Sequence, residues 1–429
     1  MCLSFCIKCT LTDIFKCLKD FRMELKSQSS VWKDGIAKEI TFIVTKDCQL
    51  ACKYCYLVGK NSHEEMSFDV AKRSVDYILK HEHDDFFATE SVVWDFIGGE
   101  PFLRIDLIDK ICDYIKQEMY RLNHHWFNSY RFNFTTNGIN YNNAKIRSFI
   151  EKNSSHITIT ITIDGTKRKH DLNRVYKNSN KGSYDDVVKN IPLWLNDFPG
   201  AATKVTISSA DIPYVKESVL HLFSLGIHEV NINCVFENVW KAGDDKLLEQ
   251  QLLELADYMI DNDLYKNFNC SFFDDTIGKP LDVAVTNVNW CGAGQMLSID
   301  SAGEFYPCTR FAQYSLREKK AWKIGNVENG IDNNKLRPFY TLTRSLQSSQ
   351  ECMSCDVASG CAWCQGENYD AADTPTLYQR STAICLMHKA RVRANNYYWN
   401  KLFRKLEKEG IIENAKSEIY KPSRINKSC

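Results

Sequence analysis

Three cysteines stand close together early in the chain: Cys48, Cys52 and Cys55, in the segment DCQLACKYCYL. Their Cx3Cx2C spacing, directly after an apolar run, makes a tight loop able to turn three thiolates toward one metal centre. Three thiolates on a four-iron cluster leave one iron open, and an open iron is where a substrate or cofactor can bind. Zinc is the competing reading, since thiolates suit it, but a closed tetrahedral site wants a fourth ligand and none is near. A buried trio without metal is the blandest reading.

The second half of the chain carries Cys291, Cys308, Cys352, Cys355, Cys361, Cys364 and Cys385, and the four from 352 to 364 form Cx2Cx5Cx2C. Isolated core thiols do not bunch in this way. The region therefore reads as organised by bound metal, with a pair of structural zinc sites as the alternative. The chain holds 18 cysteines in all. Disulfide staples suit small secreted domains, whereas thiols in a reducing compartment read as ligands, nucleophiles or small core residues. Cys112 on an apolar helix face and Cys234 in a strand are expected in the core. Cys2, Cys6, Cys9 and Cys17 have no such context and are expected to be incidental, with metal, disulfide or substrate contact as the other reading.

The elements that must position these thiols alternate between two periods. TFIV at 41–44, SVVWDFI at 91–97, YRFNFT at 130–135, ITITITI at 157–163, KVTIS at 204–208 and EVNINCVF at 229–236 are short apolar runs that read as strands. Between them lie helical patterns. Ser67 can cap FDVAKRSVDYILK, whose Val70, Ala71, Val75, Ile78 and Leu79 make an apolar face. IDLIDKICDYIKQEM, NAKIRSFI, SYDDVVKNIPLWL, PYVKESVLHLFSLG and KLLEQQLLELADYMI follow. Six strand–helix units imply parallel strands with right-handed crossovers, in an α/β partial (β/α)6 TIM-like barrel. The pattern changes after residue 260 to Cys-, Gly- and turn-rich sequence. The expected organisation is an N-terminal extension at 1–38, the barrel at 39–260, a small Cys-rich domain at 261–385 and a helical tail at 386–429.

Composition narrows the partners. Lys+Arg and Asp+Glu are both 54, so no excess positive field awaits a nucleic acid. The tail's Lys and Arg between 389 and 408 alternate with aromatics, which fits a solvated helix packed on the body better than an RNA or membrane surface. No run of 18 apolar residues occurs, and the N-terminus lacks the apolar segment of a secretory signal, so a cytoplasmic location and no membrane are expected.

The cysteine loop resembles that of the radical S-adenosylmethionine superfamily, whose members carry CxxxCxxC, commonly with an aromatic residue before the last cysteine, as Tyr54 is here. The likeness continues along the barrel. GGEP (Gly98, Gly99, Glu100, Pro101), FTTNG with Thr136 and Asn137, TIDG with Asp164, and HDLNR with Arg174 match family segments at strand ends near the cofactor. The resemblance implies that Glu100 accepts from the methionyl ammonium, that Asn137 lies near the ribose and that Arg174 approaches the carboxylate. Glycines at 98 and 99 suit a close backbone approach to a ligand. Each segment has a bland reading beside this one: a turn for the glycines and Asn137, an Asx-turn or cap for Asp164. The family's reaction is reductive cleavage of S-adenosylmethionine to a 5′-deoxyadenosyl radical.

The later cysteines resemble the SPASM auxiliary-cluster domain, with C-x11-G-x4-C from Cys291 through Gly303 to Cys308 and a last cysteine after a gap; the spacing from Cys361 to Cys364 is one residue shorter than common. By resemblance, Cys352, Cys355, Cys361 and Cys385 hold one [4Fe-4S] cluster. Cys291, Cys308 and Cys364 hold the other, completed by Cys270 or left open to engage a substrate thiol.

The SPASM domain occurs in many peptide-modifying radical enzymes, so the resemblance implies a peptide substrate. WKDGIAKEITFIVTKDCQLACKYCYL, HDLNRVY, NWCGAGQM and GCAWCQGENYD look like maturases of CXXX-repeat targets, which implies thioether crosslinks in a ribosomally made Cys-rich precursor peptide. Anaerobic sulfatase maturases, which make formylglycine from Ser or Cys, are the alternative; they carry an Asp base after the cysteine of the YPC-like segment, where this chain has Thr309. A flavodoxin or ferredoxin is the implied electron donor. The residues before the first strand are too few for a leader-recognition module, so another surface of the chain or a separate protein is the expected reader of any leader. A non-catalytic metal-stabilised interaction protein is the remote alternative.

Overall fold

The computed structural model describes residues 37–60, 62–283, 287–289 and 291–411. The extension up to residue 36 with its four cysteines, Trp290 of NWCGAGQM and the tail from residue 412 lie outside them.

Four parallel strands follow one another across the main sheet: β1 (Ala37–Thr45), β2 (Ser91–Gly98), β3 (Tyr130–Thr136) and β4 (Ile157–Ile161). β1 and β2 are buried along nearly their whole length, as strands covered on both faces must be, which is why they read as unbroken apolar runs. Their aromatics stack through the core: Phe42 on Phe96 at 5.7 Å between ring centroids, and Phe96 on Phe134 at 5.3 Å.

The connecting helices pack on the sheet: α1 (Phe68–Lys80), α2 (Ile105–Arg121) and α3 (Ala144–Lys152). The Ser67 side chain accepts from the Val70 amide at 3.2 Å, and Ala71, Val75, Ile78 and Leu79 turn inward. After β4 come α4 (Lys167–Asn173), α5 (Tyr184–Val188) and α6 (Ile191–Asp197). The last two divide the expected SYDDVVKNIPLWL segment, with Pro192 in the first turn of α6, where a missing amide costs nothing.

β5 (Ala202–Ile207), α7 (Val215–Ser224), β6 (Glu229–Cys234), α8 (Asp244–Asp261) and β7 (Asn269–Cys270) complete the alternation, with β5, β6 and β7 in a second parallel sheet. A parallel bridge between Thr162 and Lys204 joins the two sheets, and the Thr203 hydroxyl donates to the Ile161 carbonyl at 2.7 Å across the same seam. The outer edge of β1 pairs with β8 (Leu297–Ile299), and β9 (Glu304–Tyr306), β10 (Gly325–Asn326) and β11 (Gly330–Ile331) extend the sheet antiparallel. The chain beyond residue 260 thus adds strands to both sheets and covers the exposed edge of β1. The whole is a partial α/β barrel with a C-terminal extension rich in cysteine and aromatics.

Short helices α9 (Asn333–Thr341), α10 (Arg344–Gln347), α11 (Gln350–Met353) and α12 (Gln365–Ala371) carry the later cysteines toward α13 (Cys385–Lys408). α13 buries Met387, Ala394, Tyr398, Leu402 and Leu406 and lies along α8. Two of its basic residues pair with acidic neighbours on α8, Arg393 with Glu249 at 2.7 Å and Lys401 with Asp257 at 2.8 Å. Among the described residues no helix is long and apolar enough to cross a membrane.

Candidate active site

The loops that leave the carboxyl ends of β1 to β4 meet at one rim. The cysteine loop after β1 is stitched to the strand-like segment after α4: the Ala51 amide donates to the Val175 carbonyl at 2.8 Å, Lys53 to Asn173 at 3.0 Å, and Leu50 bridges Tyr176. Gly98 and Gly99 pass so near this loop that a Cβ on either would collide with the carbonyl oxygen of Thr45 or Asp47. The close approach these glycines permit is to the cysteine loop itself. The Gly99 and Glu100 amides use it to donate to Thr45 and Asp47 at 3.0 and 2.8 Å.

Glu100 is buried at the start of the turn after β2 and binds β3 to β2. Its Oε1 accepts from the Phe102 amide at 3.1 Å and the Thr136 hydroxyl at 2.7 Å, and its Oε2 from the Asn137 amide at 2.7 Å. Burial raises its carboxyl pKa, and those hydrogen bonds pull the other way. A carboxylate has about four acceptor sites, so one remains on Oε2. The Asn137 side chain donates to Gln49 at 3.0 Å within the cysteine loop. Pro101 opens the short turn of 3-10 helix that Glu100 caps.

Tyr54 reaches across the rim. Its hydroxyl donates to Asp164 and accepts from Nη1 of Arg174 at 3.1 Å. Asp164 is fully buried; against that cost, Lys169 and Arg174 hold its carboxyl below the usual range. Lys169, also fully buried, pairs with Asp211 at 3.1 Å and donates to the Thr206 carbonyl at 2.8 Å. His170 accepts the Asp164 amide on Nδ1 and so donates from Nε2 to Ser183 at 3.0 Å; burial and Arg174 push its pKa down to about 3. The Nε of Arg174 is buried and has no acceptor among the described residues.

The cysteines fall into groups whose charges are felt within each. Burial, with Glu100 beside it, pushes the Cys48 thiol up to about 12, and the charge of Cys52 adds to the rise; burial likewise raises Cys52, with Cys55 adding to it. Cys291, Cys308 and Cys364 form a second group, in which Cys291 donates to Cys364 and holds it down to about 6 while itself being pushed well up. Cys361 with Cys352 and Cys355 forms a third. Cys385 opens α13. Cys270 is buried in β7, where the charges acting on it are those of Arg391 and Glu229.

Tyr56 lies between the first and second groups, with Cys55 and Cys308 both acting on its hydroxyl. That hydroxyl is bonded to the Thr309 side chain, and the Arg310 guanidinium sits 4.3 Å from its ring centroid. Arg310 donates to Glu237 at 2.8 Å and lies 3.6 Å from Glu367; Arg317 faces the same two carboxylates. Burial, with Glu237 beside it, lifts the Glu367 pKa to about 7.

The model of the Radical SAM superfamily matches residues 42–208, which run from β1 through β5 and include the cysteine loop. An uncharacterized protein of Methanocaldococcus jannaschii is 30% identical over 321 residues, covering 71% of this chain and 92% of the relative. The chain belongs to the radical SAM superfamily. It is 20% identical over 343 residues to the radical SAM cyclopropyl synthase TigE of Paramaledivibacter caminithermalis (76% of this chain, 67% of the relative) and 21% identical over 345 residues to a serine-type anaerobic sulfatase-maturating enzyme of Bacteroides thetaiotaomicron (73% and 78%). Its fold matches anSMEcpe with bound AdoMet at a TM-score of 0.65 and 17% identity, over 86% of this chain and 98% of that one. It matches SuiB of Streptococcus suis bound to its precursor peptide SuiA at 0.52 and 17%, over 89% and 83%.

The site of this radical SAM enzyme fits the family's cofactors chemically. Buried thiols with raised pKa ionise only against a cationic centre. An orphaned guanidinium nitrogen beside Cys52 wants an anionic ligand, and Glu100 keeps an acceptor for a cationic one. Sequence reasoning missed Gln49, Tyr56, Lys169, Asp211, Glu237 and Glu367. For Lys169 a signal existed: KRKHDLN carries a single apolar residue, so a helix there had to bury polar ones.

Proposed function

We propose that this enzyme oxidises a side chain of a peptide or protein, using a [4Fe-4S] cluster at Cys48, Cys52 and Cys55 and bound S-adenosylmethionine. When bound and reduced, these supply a 5′-deoxyadenosyl radical that takes a hydrogen atom from a carbon acid–base chemistry does not reach. The protein's part is to bind and orient. The Nε of Arg174 receives the methionyl carboxylate, and the free acceptor of Glu100 receives the ammonium. Tyr54 holds Arg174 to Asp164. Thr136 and Asn137 fix Glu100, with Asn137 facing the ribose. Cys352, Cys355, Cys361 and Cys385 hold one auxiliary cluster, and Cys291, Cys308 and Cys364 hold the other with an open position, a reading supported by Cys270 being buried in β7 beside Arg391 and Glu229.

The likeness of barrel and extension together to anSMEcpe supports the narrower reading, oxidation of a Cys or Ser to formylglycine. A reducing cytoplasmic setting and a flavodoxin or ferredoxin as electron donor complete the proposal. One observation favours thioether formation in a Cys-repeat precursor. Thr309 stands where the sulfatase maturases carry their Asp base, and its hydroxyl is bonded to Tyr56. The two activities separate in one assay. Anaerobically reconstituted enzyme is given S-adenosylmethionine, dithionite, and either a sulfatase active-site peptide or a Cys-repeat peptide, and products are read by mass spectrometry. An aldehyde that reacts with hydrazine marks formylglycine; loss of two hydrogens per crosslink marks a thioether. Absence of 5′-deoxyadenosine with every peptide would defeat both.

A further inference from the structure

Two arginines converge on the third cysteine group. Arg380 donates from Nη2 to the Cys361 sulfur at 3.2 Å and from Nη1 to Ser348 at 3.2 Å. Arg344 is 8% exposed, its guanidinium lies 4.8 Å from the Trp363 ring centroid, and its Nε has no acceptor among the described residues. Arg380 lies 5.9 Å from the same ring. Among the described residues neither arginine forms an ion pair with a carboxylate. Trp363 is fixed between them by donating to Gln347, which is itself tied to Asn368 and the Leu377 carbonyl.

Two like charges held this close, one of them buried, repel and lose hydration unless an anion lies between them. Two other arginines near cysteines are differently provided for. Arg310 beside Cys364 has Glu237 and Glu367, and Arg391 beside Cys270 has the carbonyls of Ser271 and Phe272. The positive charge of both arginines acts on Cys361 and opposes the repulsion it meets from Cys352 and Cys355, so the thiolate set balances the arginines as they relieve it.

We infer that Arg344 and Arg380 are tuning residues for an anionic metal–thiolate centre at Cys352, Cys355 and Cys361, balancing its charge and raising its reduction potential. This rests on the reading that these cysteines hold an iron–sulfur cluster. Adding an electron makes such a centre more negative, so fixed positive charge at hydrogen-bond distance from a ligand sulfur favours the reduced state.

The test uses the full chain with Cys48, Cys52 and Cys55 changed to Ala, so that only auxiliary iron remains, reconstituted anaerobically and followed by iron and sulfide analysis and a redox titration read by electron paramagnetic resonance. Arg344→Gln and Arg380→Gln are each expected to shift one midpoint to more negative potential, and the double variant further, while Arg344→Lys/Arg380→Lys stays nearer the parent. Iron lost from the double Gln variant but kept in the double Lys variant also supports the inference. Unmoved midpoints with iron retained, or equal iron loss from both double variants, overturn it. A parent protein holding zinc or no metal defeats the cluster reading itself, and the inference with it.

Discussion

Arg174 donates to the Tyr54 hydroxyl at 3.1 Å, and through that hydroxyl its guanidinium is held against Asp164 at the rim of the barrel. The aromatic residue of the cysteine loop therefore does more than fill space. It ties the loop after β1 to the loop after β4 and fixes the one buried guanidinium nitrogen that has no acceptor among the described residues near Cys52.

Tyr54→Phe removes that tie and leaves Asp164 short of a donor. A hydrogen bond to a charged group is worth about 1.5–3 kcal/mol, so S-adenosylmethionine binding is expected to weaken roughly tenfold or more. Equilibrium dialysis of the reconstituted enzyme measures it. An affinity equal to the parent's would show that Tyr54 does not position Arg174.

Gly99→Ala places a methyl group against the Asp47 carbonyl and 2.9 Å from the Cys48 Cβ. Overpacking of this kind costs about 1–3 kcal/mol, and here the strain falls on the cysteine loop. Iron per chain is expected to fall toward that of a protein lacking Cys48, Cys52 and Cys55. Full iron with normal 5′-deoxyadenosine production would contradict the close packing described.

His170 is buried with its pKa lowered from 6.5 to about 3. Its contribution is complete above pH 6.5, where folded and unfolded chains both hold it neutral. As pH falls from 6.5 toward 3, the unfolded chain takes up the proton first and stability is lost. Between pH 6.5 and 5 the loss is about 2 kcal/mol. Urea midpoints at those two pH values should differ less in His170→Gln than in the parent; an equal difference refutes the assignment.

Cys270→Ala should leave auxiliary iron unchanged, because Cys270 sits in β7 among Arg391 and Glu229, whereas Cys308→Ala should lower it. Parallel iron analyses decide this. A drop on removing Cys270 equal to that on removing Cys308 would restore it as a ligand candidate.

Much of the fold was legible because its signals are local. Burial on both faces makes β1 and β2 continuous apolar runs, and Ser67 begins α1 where its side chain can satisfy an amide. Spacing alone put Cys48, Cys52 and Cys55 in one loop after a strand.

Sequence by itself determined which segments alternate as strand and helix, where three thiols share a turn, and through those the superfamily. Tertiary structure alone decided that β8 pairs with β1 across about 250 residues of chain, that Lys169 meets Asp211, that Asn137 reaches Gln49, and that Gly98 and Gly99 make room for the cysteine loop. The reason is physical: strand period and capping are written in neighbouring residues, whereas an ion pair or a close backbone approach is set by which surfaces the burial of distant apolar runs brings together.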